Sequence, residues 1–471
     1  MPAAAAPPPA QSAAGSANAL TLPAIVSVTS HRGAAAQSFW LSSGVRVHLR
    51  PIADSGKASF CVRVLGGELV ETPETRGLAS LAASAWTTDS APPAPADGSA
   101  PARVLISAGP ESLALRGTGS WREVQSRLAR AGTLLAAPQI DADRFARAKS
   151  DLLQIAATGD ASLAQQPPTL LSAMRWTTDP RTAPPRRAVV EGFTVDDCRA
   201  WLAARVRAGP IEVALAGEFD TAEAVAALQH AFANVAPTPR VAHDSHAALR
   251  AAAIERAPAF IALPSGAGGT LHILLAGPDL NDLDAGRETT LLAALLKDRL
   301  SAALTPTGLI WGTPVVAPRP GRALTGTGAL ALTLRPRAVV REHDETHRAI
   351  AAALDSALAT LSDPATYDTA AVNMLRASEV GRTIQRLREP EYWALVLSYA
   401  DFYGLDLDEL AAAPQRSGQI TPQRLAARAL LIRAVAPRFV SMLPRESAPA
   451  ELAPLSAPST PAPAPTPPAP D

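Results

Sequence analysis

Apolar positions along the chain follow two rhythms, and the switches between them mark out the elements. A period of two predicts strands: Val45, Val47 and Leu49 alternate within Phe39-Trp-Leu-Ser-Ser-Gly-Val-Arg-Val-His-Leu-Arg50, and Ser59-Phe-Cys-Val-Arg-Val-Leu65 is a second strand-like run. A helical period follows in Arg76-Gly-Leu-Ala-Ser-Leu-Ala-Ala-Ser-Ala-Trp86, where Leu78, Leu81, Ala82 and Ala85 share one face. Residues 103–108 and 112–117 read as a hairpin across Gly109-Pro110. Ser120-Trp-Arg-Glu123 is a capping box opening a helix with Val124, Leu128 and Ala131 inward. Asp141 opens the next, with Phe145, Ala148, Leu152 and Ile155 in phase, and Thr194-Val-Asp-Asp197 a third. Pro210 to Asp220 is a strand ending in glycine and an acidic cap, followed by a helix over 221–234.

The pattern then restarts. Gly269-Thr-Leu-His-Ile-Leu-Leu-Ala-Gly277 parallels the strand around Val62, and a helix is expected over 289–304. Strands at 308–317 and 328–334 and a helix over about 340–361 come next. The stretch from Ile420 to Met442 repeats the plan of residues 194–215, a Thr-capped helix leading through a proline into a strand. Such repetition marks an internal duplication. Residues 380–410, with Tyr392, Trp393, Leu395 and Tyr399, read as aromatic core packing.

Composition sets the limits. With 47% hydrophobic and 18% charged residues the chain belongs to the globular class, but residues 1–36 and 445–471 are rich in Ala and Pro and are expected to be disordered. Between them the expected division is 37–236, a linker at 237–257, and 258–444. Lys plus Arg equals Asp plus Glu at 43 each, so no net field favours nucleic acid or an anionic membrane. Cys61 and Cys198 have the spacing of neither a disulfide framework nor a metal site and read as buried thiols. The first residues lack a basic segment followed by an apolar one, which points to the cytoplasm; a chain already processed would point to the periplasm.

A strand, a turn at Gly66-Gly67-Glu68 and Gly77-Leu78-Ala79 opening a helix resemble the M16 (pitrilysin/insulinase-type) zinc peptidases. In that family the helix reads Gly-Leu-Ala-His-x-x-Glu-His, two zinc ligands and a glutamate that activates the bound water. Here those three positions hold Ser80, Ala83 and Ser84. The family's third ligand, a glutamate in a later helix, falls at Gln154 or Ile155, with Asp151 one turn away and Asp160 beyond the helix. Hydroxyls bind zinc poorly and alanine cannot take a proton, so the resemblance implies a non-catalytic member with no metal of its own. A further family element, an Arg and a Tyr that hold the scissile carbonyl, falls on Leu304 and Trp311 around the matching Gly308-Leu309. An indole N–H can still bond a peptide carbonyl, without the charge that would stabilise an oxyanion.

The resemblance implies an α+β fold of two homologous halves, each a mainly antiparallel sheet covered by helices on one side, together forming half of a clamshell. It also implies a partner: an active M16 homologue that carries the zinc, with peptide binding in the chamber between the two chains. The alternative it allows is a stand-alone peptide-binding or structural scaffold. Other clusters point elsewhere. His343 and His347 share a helix face without a third ligand and read as a solvated helix start, while His243 and His246 fall in the linker. Ser265-Gly-Ala-Gly-Gly269 lacks the Lys-Ser/Thr of a phosphate loop and reads as a hairpin turn.

Overall fold

Alternation along the central strands decides how the layers stack. The protein was described from a computed structural model covering residues 22–87, 103–158, 181, 185–240, 259–263, 269–322, 324–337 and 343–444. In the first half, β1 (Ile25–His31), β2 (Ala36–Leu41), β3 (Arg46–Pro51), β4 (Ala58–Leu65), β6 (Leu105–Ala108), β7 (Ser112–Gly119) and β9 (Ile211–Gly217) form one sheet. Its order is β1-β2-β3-β9-β4-β7-β6, and β5 (Trp86–Thr87) pairs separately with β8 (Gln139–Ile140). The β3–β9 pair is parallel, with Val47 opposite Val213, and the other pairs are antiparallel.

Phe60, Val62 and Val64 of β4 face one way, together with Val47, Leu49, Val213 and Leu215. They bury against α1 (Leu78–Ala85), α2 (Trp121–Ala136), α3 (Ala142–Thr158), α4 (Arg187–Gly192), α5 (Val195–Ala208) and α6 (Thr221–Ala231). The intervening residues Cys61, Leu65, Ala214 and Ala216 face the opposite way and are buried as well. What covers them comes from the second half.

There, β10 (Ala259–Leu263), β11 (Thr270–Ala276), β12 (Val315–Arg319), β13 (Ala329–Leu334) and β14 (Arg438–Pro444) form a sheet in the order β10-β14-β11-β13-β12. The β10–β14 pair is parallel and the rest are antiparallel. Strand for strand, this reproduces the order and sense of β3-β9-β4-β7-β6, so the internal duplication read from the repeated pattern is present in the topology. The Thr-capped helices correspond too: Thr194 Oγ1 accepts the Asp197 amide at 3.1 Å, and Thr421 Oγ1 accepts the Arg424 amide at 3.3 Å. The helices of this half are α7 (Leu283–Leu304), α8 (His343–Leu361), α9 (Thr369–Arg386), α10 (Pro390–Leu397), α11 (Ala400–Tyr403), α12 (Leu407–Ala411), α13 (Ala413–Gly418) and α14 (Pro422–Arg433).

Helices α10 to α12 bring Trp393, Tyr399, Phe402, Tyr403 and Leu407 onto the second face of the first sheet. The first sheet is therefore covered by helices on both faces, where one was expected. This also explains why β4 is buried along its whole length. The aromatic segment is core, as its composition suggested, but a core shared between the halves.

Four expected boundaries move. The disorder expected over 1–36 gives way at β1, whose β-branched run Ile25-Val-Ser-Val-Thr29 pairs antiparallel with β2, His31 opposite Ala36. Being an exposed edge strand, β1 shows no apolar alternation to betray it. Helix α7 starts six residues before 289 because Asp282 Oδ1 accepts the Ala285 amide at 3.1 Å. The strand expected from 308 starts at Val315, since Gly308 and Gly312 take φ of +70° and +69° and turn the chain twice. The linker's first residues are pinned rather than free: the Thr238 amide donates to Ser43 O at 2.8 Å. Residues 1–21, the bulk of the expected linker with His243 and His246, the turn at 264–268 and the tail from 445 lie outside the described residues.

Candidate functional site

Helix α1 begins where a buried carboxylate collects its free amides. Glu71 Oε1 accepts from the Ala79 amide at 2.6 Å, and Oε2 from the Gly77 amide at 3.1 Å, with Arg76 Nη1 3.5 Å away. Burial pushes the Glu71 carboxyl up to about 7, against the lowering effect of those amides and of Arg76. Gly77 has φ of +108°, and a Cβ there would meet the Leu152 side chain of α3 at 3.0 Å. Glycine is what lets α1 lie close along α3.

Between these two helices is an open hollow of about 340 Å³ lined by Ser80, Ser84, Arg144, Arg147, Ala148, Asp151, Leu152 and Ile155. Ser84 Oγ donates to Ser80 O at 2.9 Å, so its proton is spent within the helix. Ala83 faces the core at 7% exposure. The structure thus brings together Ser80, Ser84 and Ile155, positions far apart in sequence but expected to share one site. Of the two candidates for the third position, Ile155 lines the hollow and Gln154 does not.

No family model and no curated protein matches this sequence. Solved structures match its three-dimensional arrangement. The periplasmic protease PqqL from Escherichia coli superimposes with a TM-score of 0.69 at 13% identity, covering 94% of this chain and 49% of that one. This chain therefore spans about half the length of PqqL. A peptidase M16 inactive domain from Pseudomonas fluorescens gives a TM-score of 0.68 at 17% identity over 87% of this chain and 98% of that one. A chain of complex III from Candida albicans gives 0.64 at 12% identity over 86% and 95%. The chain has the M16 peptidase fold.

On an M16 frame, the groups present do not fit a zinc ion. A serine hydroxyl already hydrogen-bonded, a second hydroxyl, an alkyl side chain and one carboxylate, Asp151, offer no imidazole or thiolate and too few anionic donors. Two guanidinium groups at the same rim oppose a cation further. The second family element divides. Leu304, at the position of the family's Arg, is 1% exposed and packs inside the core of the second half. Its neighbour Trp311 is 58% exposed, held by its amide donating to Arg335 O at 2.7 Å and by the Arg337 guanidinium 4.0 Å above the ring.

The other sequence candidates are occupied in structural contacts. His347 Nε2 lies 2.9 Å from Ser441 Oγ and its ring stands against Phe439, tying α8 to β14; it is not a free face for metal. Cys61 and Cys198 are buried free thiols, both pushed up by desolvation, Cys198 to about 12. Among the described residues no helix is long and apolar enough to cross a membrane.

Sequence reasoning missed one cluster, on the face of the first sheet that α11 covers. His48, Glu212 and Asp401 bring their ligand atoms within 4.8 Å of one another. His48 Nδ1 lies 2.7 Å from Ser38 Oγ, which in turn lies 3.0 Å from His31 Nε2, and Glu212 Oε1 accepts the Asp401 amide at 3.0 Å. Desolvation lowers His48 to about 3 and raises Glu212 well above the usual carboxylate range. A divalent ion would fit the distances but not the charge. Arg46 Nε already sits 2.6 Å from Asp401, and Arg63 adds a second cation beside Glu212. Two guanidinium groups facing two carboxyls make a polar lock between the halves. No local spacing could have revealed it, because β3, β9 and α11 supply one member each.

Proposed function

We propose that this chain is a non-catalytic M16-type subunit that shapes a peptide-binding chamber for an active partner carrying the zinc motif. The observation that carries this reading is the α1–α3 hollow: its position and its glycine-dependent close approach are kept, while Ser80, Ala83, Ser84 and Ile155 stand where a metal-binding set is needed. Covering nearly all of this chain but only about half of PqqL supports a unit that completes its chamber with a second chain of similar size. The terminal strands β6 and β12 of the two sheets are edges at which a peptide could add as an extra strand. Catalysis then belongs to the complex, and this chain contributes walls and stability.

The likeness to a chain of complex III favours a second reading, a stand-alone structural scaffold. Co-expression with a metal-motif homologue of similar length separates the two. The first reading expects a stable pair, with zinc and peptide cleavage found only when the partner is present. Stoichiometric zinc, or proteolysis, in this chain alone would sink it, and failure of any such homologue to co-purify would leave the scaffold.

A further inference from the structure

We infer that the hollow between α1 and α3 has become an anion-recognition pocket, and that its ligand is the free α-carboxylate of a bound peptide. The inference rests on the peptide-chamber reading above and names the chemical end of the peptide that this chain would hold. Three unpaired donors converge on the hollow. The Arg144 and Arg147 side chains line it, exposed, one turn apart on α3, and neither forms an ion pair among the described residues. The Ser80 hydroxyl, across from them on α1, likewise has no hydrogen-bond partner among the described residues.

A further cation lies near Arg144, which stands close enough to Arg130 of α2 to lower the latter's proton affinity by repulsion, behind the effect of burial. Asp151 is the one acid in the lining, which leaves an excess of positive charge over the hollow. Two planar guanidinium forks and a hydroxyl match the two oxygens of a carboxylate, in the way charge-assisted bidentate pairs do. Leu152, Ala148 and Ile155 supply an apolar floor for the side chain next to that carboxylate, and a volume of about 340 Å³ admits one terminal residue. The chemistry recognised is that of an oxyanion. A phosphate offers the same oxygens, so the test includes it.

The test uses the full chain and one mixed octapeptide library made twice, with free carboxylates and with carboxamides, plus inorganic phosphate as a separate probe. Binding is read by fluorescence polarisation for the peptides and by NMR of the arginine side chains for phosphate. The proposal expects the free-acid library to bind about tenfold tighter than the amide, with the preference weakening as salt rises. Arg144→Ala with Arg147→Ala should erase the preference without lowering the melting temperature, since both side chains are exposed. Asp151→Asn, which removes the repelling charge, should strengthen it several-fold. Equal binding of acid and amide, or a preference that survives the double substitution, overturns the pocket and leaves the peptide-chamber reading intact. Phosphate saturating these arginines with neither library bound overturns the peptide ligand together with that reading. Silence from all three probes overturns both.

Discussion

Helices α1 and α7 occupy the same place in the two halves, each following the corresponding strand of its sheet, β4 and β11, yet they close their surroundings differently. In the first half α1 and α3 meet across small residues and leave a hollow with a polar rim. In the second half α7 meets α9 and α14 through Leu291, Val372, Ile420 and Leu425, all at most 2% exposed, with Leu295, Tyr367 and Leu375 packed around them. On the adjoining flank of α7, Glu288 is gripped by Arg424 Nε at 2.7 Å and Arg428 Nε at 3.1 Å. One copy of the duplicated plan has been filled with apolar volume and an ion-pair clamp; the other has been kept open. An open site costs packing energy, so a hollow left open where its counterpart is filled agrees with the proposed use of the hollow.

The strongest way to break this contrast is truncation in both places. Leu425→Ala should destabilise the protein by about 2–5 kcal/mol, because a fully buried side chain leaves a cavity the surrounding helices cannot collapse into. Ile155→Ala, at 41% exposure in the lining of the hollow, should cost no more than about 1 kcal/mol. Chemical denaturation of the two variants measures the difference. Equal losses would mean that the hollow is packed as tightly as its counterpart and is no site.

That contrast was only half legible in the sequence. The repeated Thr-capped helices and the strand at Val62 with its double at 270–276 were readable because each signal lies within some twenty residues. So was the place of α1. The register of α3 was not, since Gln154 and Ile155 differ by 100° around a helix and only packing against α1 selects between them. Strand β1 was hidden by its exposed edge position. The lock of His48, Glu212 and Asp401 was hidden by sequence separation, and so was the covering of the first sheet by α10 to α12, which depends on how the halves dock.

Acidity probes how α1 is held in the open half. Glu71 has its folded-state affinity for a proton raised to about 7, so its favourable contribution is fully present below its ordinary value of 4.5 and is lost as pH rises through 7. His48, lowered to about 3, acts in the opposite sense, its contribution present above 6.5 and lost as pH falls toward 3. Comparing wild type with Glu71→Gln isolates the first effect, because His48 is common to both. The stability of wild type relative to the variant should fall by on the order of 2 kcal/mol between pH 4.5 and pH 8. A difference that stays flat across that range would show that Arg76 and the Gly77 and Ala79 amides keep Glu71 ionised throughout.

The smallest effect on stability is expected at Trp311, and there its smallness is informative. The indole stands 58% exposed between two positive-φ glycines, Gly308 and Gly312, with the Arg337 guanidinium 4.0 Å from its ring centre. An exposed cation–π pair contributes about 0.5–1 kcal/mol, so Trp311→Ala should move the unfolding free energy by no more than that. A protein that merely tolerates a surface tryptophan would show nothing else. A chamber wall would show a second change: the octapeptide library should bind several-fold more weakly to Trp311→Ala while the melting temperature holds. Unaltered peptide affinity would remove Trp311 from the chamber and confine peptide recognition in this chain to the open half.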